Sequence, residues 1–366
     1  MTTTAHAPVL PTYTRLGVTF TDGEGAWLTD ADGNRYLDLF AGIAVVGLGH
    51  KHPAPLAAAH AQLDRLWHVS NLYWTEPMQA LAAKLSDRFG GAQAFFCNSG
   101  AESVEAAIKW ARKATGRSGI VALDGSFHGR TLGALSITGQ PAKRAAFEPL
   151  VPGATFGLEH VGPDTAAIVL EPVQGEGGVH PLPDTLAQAR ALADEHGALL
   201  VIDEVQTGVG RSGAFFAWQR YGVRPDAVTL AKGLANGLPI GALLVSDSAP
   251  TGFEPGDHAS TFGGNPVACA AACAVVDAID DDLLAHVREM GDRLALGLAP
   301  FGSVRGLGLM LAVELDRPAG PVVEAALAKG LVIGSAGPNV LRLTPPLTIT
   351  AAEIDSALQL LSEVLT

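Results

Sequence analysis

Short, wholly apolar runs recur along this chain between stretches of helical periodicity. They are Ala94-Phe-Phe, Ile120-Val-Ala-Leu, Ala167-Ile-Val-Leu, Ala198-Leu-Leu-Val-Ile and Ala227-Val-Thr-Leu. A strand that alternates apolar and polar residues can leave one face in water; a strand with no polar position must be covered on both. Continuous apolar strands separated by helices such as 76–89 and 101–114 therefore predict a mostly parallel sheet with helices on both faces, an α/β architecture. With 366 residues, 48% hydrophobic and 17% charged, the chain is long enough for about two packed domains.

The ends of the chain read differently. Residues 1–48 alternate apolar and polar positions, with Asp-Gly pairs at 22–23 and 32–33 that signal hairpin turns between short antiparallel strands. After the last apolar run, the pattern predicts one long helix over about 265–298. It continues with a strand region at 304–315, a helix near 321–329, short strands at 331–333 and 340–343, and a terminal helix from 351. We assign 1–48 to the start of a smaller α+β domain, 49–266 to the large domain, and 267–366 to an interdomain helix and the rest of the small domain.

A formal net charge of −13 argues against nucleic acid and anionic membranes as partners. No apolar run approaches a bilayer-spanning length. The start, Met1-Thr-Thr-Thr-Ala-His, has neither a basic stretch nor an apolar segment, so no secretion signal is expected. Three cysteines, Cys97, Cys269 and Cys273, form no C-x-x-C and read as buried thiols. A cytoplasmic location fits.

Six of the seven lysines (51, 84, 109, 113, 143 and 329) sit in polar or helical contexts that read as solvated surface. Lys232 differs. It follows the run Ala227–Leu230 within Leu-Ala-Lys-Gly-Leu-Ala-Asn-Gly, where glycines let the backbone turn closely and a desolvated amine can act as a nucleophile. Asp203 likewise ends an apolar run, in Val-Ile-Asp-Glu-Val-Gln-Thr-Gly. Ligands of open α/β sheets gather beyond the carboxyl ends of strands, which brings both residues to one place. A carboxylate that holds a pyridinium proton and a lysine that condenses with an aldehyde are what pyridoxal phosphate requires; a structural salt bridge between the two is the plainer alternative.

Asn98-Ser-Gly-Ala-Glu opens the helix 101–114. Ser99 and Glu102 fit a capping box, and the N–H groups of Gly100 and Ala101 suit a phosphate, although most capping boxes only cap. In Ser126-Phe-His-Gly-Arg-Thr, Phe127 can stack on a flat ring and Arg130 can grip a carboxylate, although such residues usually serve packing and surface. Glu171-Pro-Val-Gln-Gly-Glu176-Gly-Gly places two carboxylates in a glycine-rich loop, where a cap or loop turn is the alternative. His50-Lys-His52 keeps a metal-dependent hydrolase open as a rival, with the pair in a turn before a helix rather than at a strand end.

Taken in order, six segments resemble the class III (ornithine/4-aminobutyrate type) aminotransferases of pyridoxal-phosphate fold type I. They are Phe96-Cys-Asn-Ser-Gly-Ala-Glu, Phe127-His-Gly-Arg-Thr, Glu171-Pro-Val-Gln-Gly-Glu-Gly-Gly, Ile202-Asp-Glu-Val-Gln-Thr-Gly-Val-Gly-Arg, Leu230-Ala-Lys-Gly-Leu and Ser260-Thr-Phe-Gly-Gly-Asn-Pro. The resemblance spans Tyr13 to Arg342 and implies a mostly parallel seven-stranded sheet. Tyr36-Leu-Asp-Leu-Phe-Ala-Gly-Ile-Ala-Val, Leu48-Gly-His-Lys-His-Pro and Val69-Ser-Asn-Leu-Tyr-Trp-Thr-Glu-Pro are most similar to the branch acting on N-acetylornithine. Ala336-Gly-Pro-Asn-Val-Leu-Arg-Leu-Thr-Pro-Pro-Leu also resembles the branch acting on a carrier-bound precursor in lysine biosynthesis. Ornithine and 4-aminobutyrate remain open as substrates.

The resemblance also implies roles. Lys232 carries the cofactor and moves the proton; Asp203 holds the ring nitrogen; Gln206 binds the phenolic oxygen; Phe127 covers one ring face. Gly100 and Ala101 bind phosphate, with Thr261 supplied by the second subunit of a homodimer. Arg342 takes the α-carboxylate of glutamate or 2-oxoglutarate, and Glu176 pairs with it when the donor reacts through a terminal amine. Arg130, Tyr13 and Ser260 take the distal carboxylate end. Glu171 lies behind the site.

Overall fold

The computed structural model describes residues 8–365. Residues 1–7, which bear the expectation of no secretion signal and the start of the 1–48 segment, lie outside the described residues, as does residue 366.

The apolar runs assemble into one seven-stranded sheet. In spatial order its strands are Ala92–Cys97, Gly241–Ser246, Ala227–Leu230, Leu199–Asp203, Thr165–Leu170, Gly119–Ala122 and Ala154–Phe156. Gly241–Ser246 runs antiparallel to both neighbours, and the remaining pairings are parallel. The reason no strand has a polar face is visible in its packing. Leu200, Ile202, Ile168, Leu170, Val228 and Leu244 join one apolar layer, while Leu199, Val201, Ala167, Val169, Ala227 and Leu243 join another on the opposite face. Two of the seven strands, Ala154–Phe156 and Gly241–Ser246, were not among the apolar runs. The first is three residues long, and the second begins at a glycine inside a Gly-rich stretch.

The two chain ends meet. Strands Phe20–Glu24, Trp27–Asp30 and Arg35–Asp38 form an antiparallel meander, and Leu331–Val332 joins its edge parallel to Arg35–Asp38. Strands Ser303–Leu307, Met310–Glu314, Val340–Leu343 and Gly334–Ser335 form a second antiparallel sheet. Leu37, Leu39, Leu294, Leu341, Ile354 and Leu361 share one core between these sheets and the helices Asp281–Leu298 and Ala351–Leu365.

Two local expectations fail. Asp22-Gly23 is not a turn; both residues lie within the first strand beside a register shift, and the hairpin reverses at Gly25-Ala26, where Gly25 has φ +57°. The Asp32-Gly33 turn forms, with Gly33 at φ +86°. The helix expected over 265–298 is two helices, Pro266–Ala278 and Asp281–Leu298. Asp280 ends the continuity because its carboxylate accepts the N–H of Leu283 at 2.8 Å, capping a new helix. The two helices serve different cores: Cys269, Ala272 and Val276 pack with the large sheet, and Val287, Leu294 and Leu298 with the small sheets. Buried Arg211 ties the parts together, donating to the carbonyls of Leu309 (3.0 Å) and Pro345.

Candidate active site

Parallel pairing sets the site. Asp203, the last residue of its strand, stands opposite Thr229 on the next strand, so Lys232 begins the turn just beyond the neighbouring strand end. Lys232 has φ +39°, a left-handed conformation that a side-chain-bearing residue adopts at a cost, and the tight turn Lys232–Ala235 holds it there. Burial pushes its ammonium down to about 8; Arg342 acts in the same direction, while Glu176, Asp203 and Glu171 oppose.

Asp203 is buried and held by three donors. Its Oδ1 accepts from the N–H of Val205 at 3.0 Å and from Thr229 Oγ1 at 3.2 Å, and its Oδ2 accepts from His128 Nδ1 at 2.7 Å. Burial works against a charged His128, but the bond to Asp203 and the charges of Asp203 and Glu171 hold its pKa above the ordinary histidine value. Its Nε2 is buried with no partner among the described residues. Glu171, also buried, accepts from the N–H of Phe127 at 3.0 Å and of Gly175 at 3.1 Å. Loss of water raises its carboxyl to about 7, with the charge of Asp203 adding to the effect.

Above these groups lies a cavity of about 390 Å³. Among its lining residues are Ser99, Gly100, Ala101, Phe127, Arg130 and Lys232, with Val45 reaching in from the N-terminal segment. Val45 follows a strained turn, since Ala41, Gly42, Ile43 and Ala44 all have positive φ, from +47° to +68°.

Ser99 caps the helix Gly100–Thr115 by accepting the N–H of Glu102 at 3.2 Å. The Glu102 carboxylate reaches back one residue further than in a standard capping box, to the N–H of Asn98 at 2.7 Å. The N–H groups of Gly100 and Ala101 find no acceptor among the described residues. A Cβ at Gly100 would lie 2.7 Å from Val205 Cγ1, so glycine keeps this wall open.

Arg342 is buried and ion-paired to Glu176, with weaker contacts to the Gly175 carbonyl (3.3 Å) and Gln206 Oε1 (3.4 Å). Burial alone would raise the Glu176 carboxyl; Arg342 outweighs it and holds it below the ordinary range. A Cβ at Gly175 would meet Gln206 Oε1 at 2.3 Å, so a side chain there would displace the end of Gln206.

Gly100, Ala101, Phe127, Arg130 and Lys232 line this cavity, as does His128, which bonds Asp203; the charges of Asp203, Glu176 and Arg342 act on Lys232, and Gln206 Oε1 lies 3.4 Å from Arg342. Three further expected residues also lie outside the cavity lining within this chain. Tyr13 is 76% exposed with Arg15 over its ring, Thr261 is exposed, and Ser260 Oγ bonds Asn98 Nδ2 at 3.1 Å outside the cavity. The rival histidine pair does not converge: His50 Nε2 meets Asp38 at 2.8 Å, and His52 Nδ1 caps the helix Pro53–Leu63. No group of three potential metal ligands occurs among the described residues. Two participants went unread in the sequence. His128 sits inside a quoted motif but was passed over for its neighbours. Lys143 was placed on solvated surface, yet its Nζ stands 4.9 Å from the Phe127 ring centroid.

A fold of this topology, with a lysine and a carboxylate at adjacent strand ends above a helix N-terminus, defines a class of enzyme, and the family model of class-III aminotransferases matches residues 10–365. The chain belongs to that family. It is 50% identical to the acetylornithine aminotransferase of Corynebacterium efficiens, covering 98% of this chain and 94% of that one. It is 49% identical to the enzyme of the same name from Mycolicibacterium smegmatis (98% and 96%). Among solved structures, an ornithine aminotransferase from Toxoplasma gondii superposes with a TM-score of 0.92 at 30% identity, over 98% of this chain and 91% of that one. An amine transaminase from an uncultivated Pseudomonas species, solved in a pyridoxal-phosphate-bound form, gives 0.88 at 29% identity, over 99% and 97%. Pyridoxal 5′-phosphate, the cofactor of this family, suits the donor set: unpartnered N–H groups for its phosphate, a hydrogen-bonded carboxylate for its ring nitrogen, and an amine of lowered basicity for its aldehyde.

Proposed function

We propose that this chain moves the terminal amino group of N-acetylornithine to 2-oxoglutarate, giving N-acetylglutamate 5-semialdehyde and glutamate, in arginine biosynthesis. The observation that carries this reading is the buried Arg342–Glu176 pair. A pocket that served only α-amino acids would keep its arginine free for the α-carboxylate. A donor reacting through a terminal amine brings an aliphatic chain to that position, and a lone buried guanidinium there would cost several kcal/mol. Glu176 neutralises Arg342 for such a donor and gives way when glutamate brings its own carboxylate. The names of the relatives at 44–50% identity support the same substrate.

Bound pyridoxal phosphate supplies an electrophilic carbon and an electron-withdrawing ring. The rest is the work of this chain. Asp203, held by three donors, keeps a positive charge on the ring nitrogen. Lys232, with its basicity lowered by burial, would take a proton from the carbon bearing the amine and deliver it to the carbon on the other side of the nitrogen. Gly100 and Ala101 hold the phosphate, Gln206 the phenolic oxygen, and Phe127 one ring face. Arg130 takes the distal carboxylate.

We read the active unit as a homodimer. The exposed cluster Trp67, Leu72, Tyr73, Trp74 (78% exposed) and Phe262 (60% exposed) adjoins Thr261 and supports a large apolar contact. In that assembly the partner's Thr261 completes the phosphate site, and Tyr13 and Ser260 remain candidates for the substrate's distal end.

An absorbance spectrum of the purified holoenzyme tests the proposal. N-acetylornithine added without a keto acid should bleach the yellow band and raise the pyridoxamine band. A band that ignores N-acetylornithine but responds to glutamate overturns the substrate, and the absence of any band after adding cofactor overturns the cofactor site.

A further inference from the structure

Two cations stand over one ring that lines the cavity. Lys143 Nζ lies 4.9 Å and Arg130 Cζ 5.6 Å from the Phe127 centroid. Neither makes an ion pair or a hydrogen bond to a carboxylate among the described residues. Lys143 is half-buried; Arg130 is exposed. The nearby carboxylate, Glu176, is committed to Arg342. Loss of water lowers the Lys143 pKa, the charges of Arg130 and Arg342 lower it further, and Glu176 and Glu171 only partly oppose them. Two cations that share one aromatic ring and have no carboxylate partner among the described residues form a site that an anion completes.

We propose that Lys143 acts with Arg130 as an anion subsite that takes the carboxylate distal to the reacting amine and disfavours donors with a free ammonium at that end. An N-acylated donor presents a carboxylate and a neutral amide there, whereas the free diamino acid presents a carboxylate and an ammonium, which both cations repel. Lys143 therefore sets the preference for the acylated donor. This inference rests on the reading of the reaction given above.

The test compares Lys143→Gln and Lys143→Arg with wild type as holoenzymes. In Lys143→Gln, KM for N-acetylornithine should rise about ten-fold, the loss of one charge-assisted hydrogen bond, with kcat within about two-fold. The kcat/KM preference for N-acetylornithine over ornithine should fall by a similar factor. Lys143→Arg should keep both near wild type, and the cofactor's absorbance should be unchanged in either variant. An unchanged KM and preference overturn the proposal; so does a fall in kcat with an altered spectrum, the mark of a merely structural role. The glutamate half-reaction, followed by cofactor absorbance, separates the two claims. If wild type uses glutamate but not N-acetylornithine, the donor assignment fails, and Lys143 stands only if Lys143→Gln weakens glutamate about ten-fold.

Discussion

His128 and Asp203 meet across 2.7 Å inside the protein, imidazole Nδ1 against carboxylate Oδ2, both shielded from water. A carboxylate only accepts, so Nδ1 carries the proton, and the ring is fixed in orientation by the bond. His128 thereby supplies one of three donors that fix Asp203 at the end of its strand, where we propose it meets the cofactor's ring nitrogen.

Removing that donor should show in both stability and chemistry. His128→Phe leaves Asp203 Oδ2 buried without its strongest partner, a loss of about 1–3 kcal/mol. We expect a lower melting temperature, a fall in kcat of about ten-fold and a displaced cofactor absorbance maximum. Unchanged kcat and absorbance would remove His128 from any part in positioning Asp203.

Glu171 and Glu204 are both buried and both held at about 7 by loss of water. Their folded pKa values exceed the unfolded value of 4.5, so the stability they contribute is fully present below pH 4.5 and is lost as pH rises through 7. The carboxylates shifted downward, such as Glu176, have completed their contribution by then. The melting temperature should therefore fall by a few degrees, on the order expected for about 1–2 kcal/mol, between pH 5 and 7.5. Glu171→Gln and Glu204→Gln should each flatten that slope; a slope unchanged in both contradicts the assignment.

Lys232→Ala should leave the melting profile of the apoprotein near wild type while abolishing turnover and the yellow absorbance. Because burial brings the wild-type amine down to about 8, acylation of Lys232 in the apoprotein, followed by mass spectrometry, should reach half its maximal rate near pH 8. A midpoint near 10.5 would mean that the amine is solvated as an ordinary lysine.

Gly100→Ala puts a methyl 2.7 Å from Val205 Cγ1 at the start of the helix whose N-terminus lines the cavity. Cofactor affinity should drop about ten-fold, the order of one charge-assisted contact. The double variant with Val205→Ala should recover most of it. No recovery would show that the glycine serves something other than this close approach.

Glu176→Ala should reduce kcat/KM for N-acetylornithine by at least about ten-fold while affecting glutamate much less, since only the first donor leaves Arg342 without a partner. Single-turnover measurements with each donor read the two half-reactions separately, and equal losses would exclude the switch.

Much of the fold was legible because its signals are local. The all-apolar runs announced a doubly covered sheet, and the motifs around Ser99, Phe127, Asp203 and Lys232 lie at strand ends, where a residue's neighbours in sequence decide its place. Asp280 was a local signal too, a helix cap concealed within a continuous apolar period, and Gly25 rather than Gly23 supplied the left-handed turn.

The sequence by itself determined the residue types and the order along the chain of the elements that carry Lys232, Asp203 and the Ser99-capped helix. Only the tertiary structure decided which charges face one another. Lys143 reads as polar surface in its own segment, and His128 as one letter of a motif. Their meaning comes from segments far away in sequence: Phe127 under Lys143, and Asp203 beside His128, 75 residues on. Burial and the sum of neighbouring charges set how basic or acidic a group is, and both are properties of the folded packing that no single segment contains.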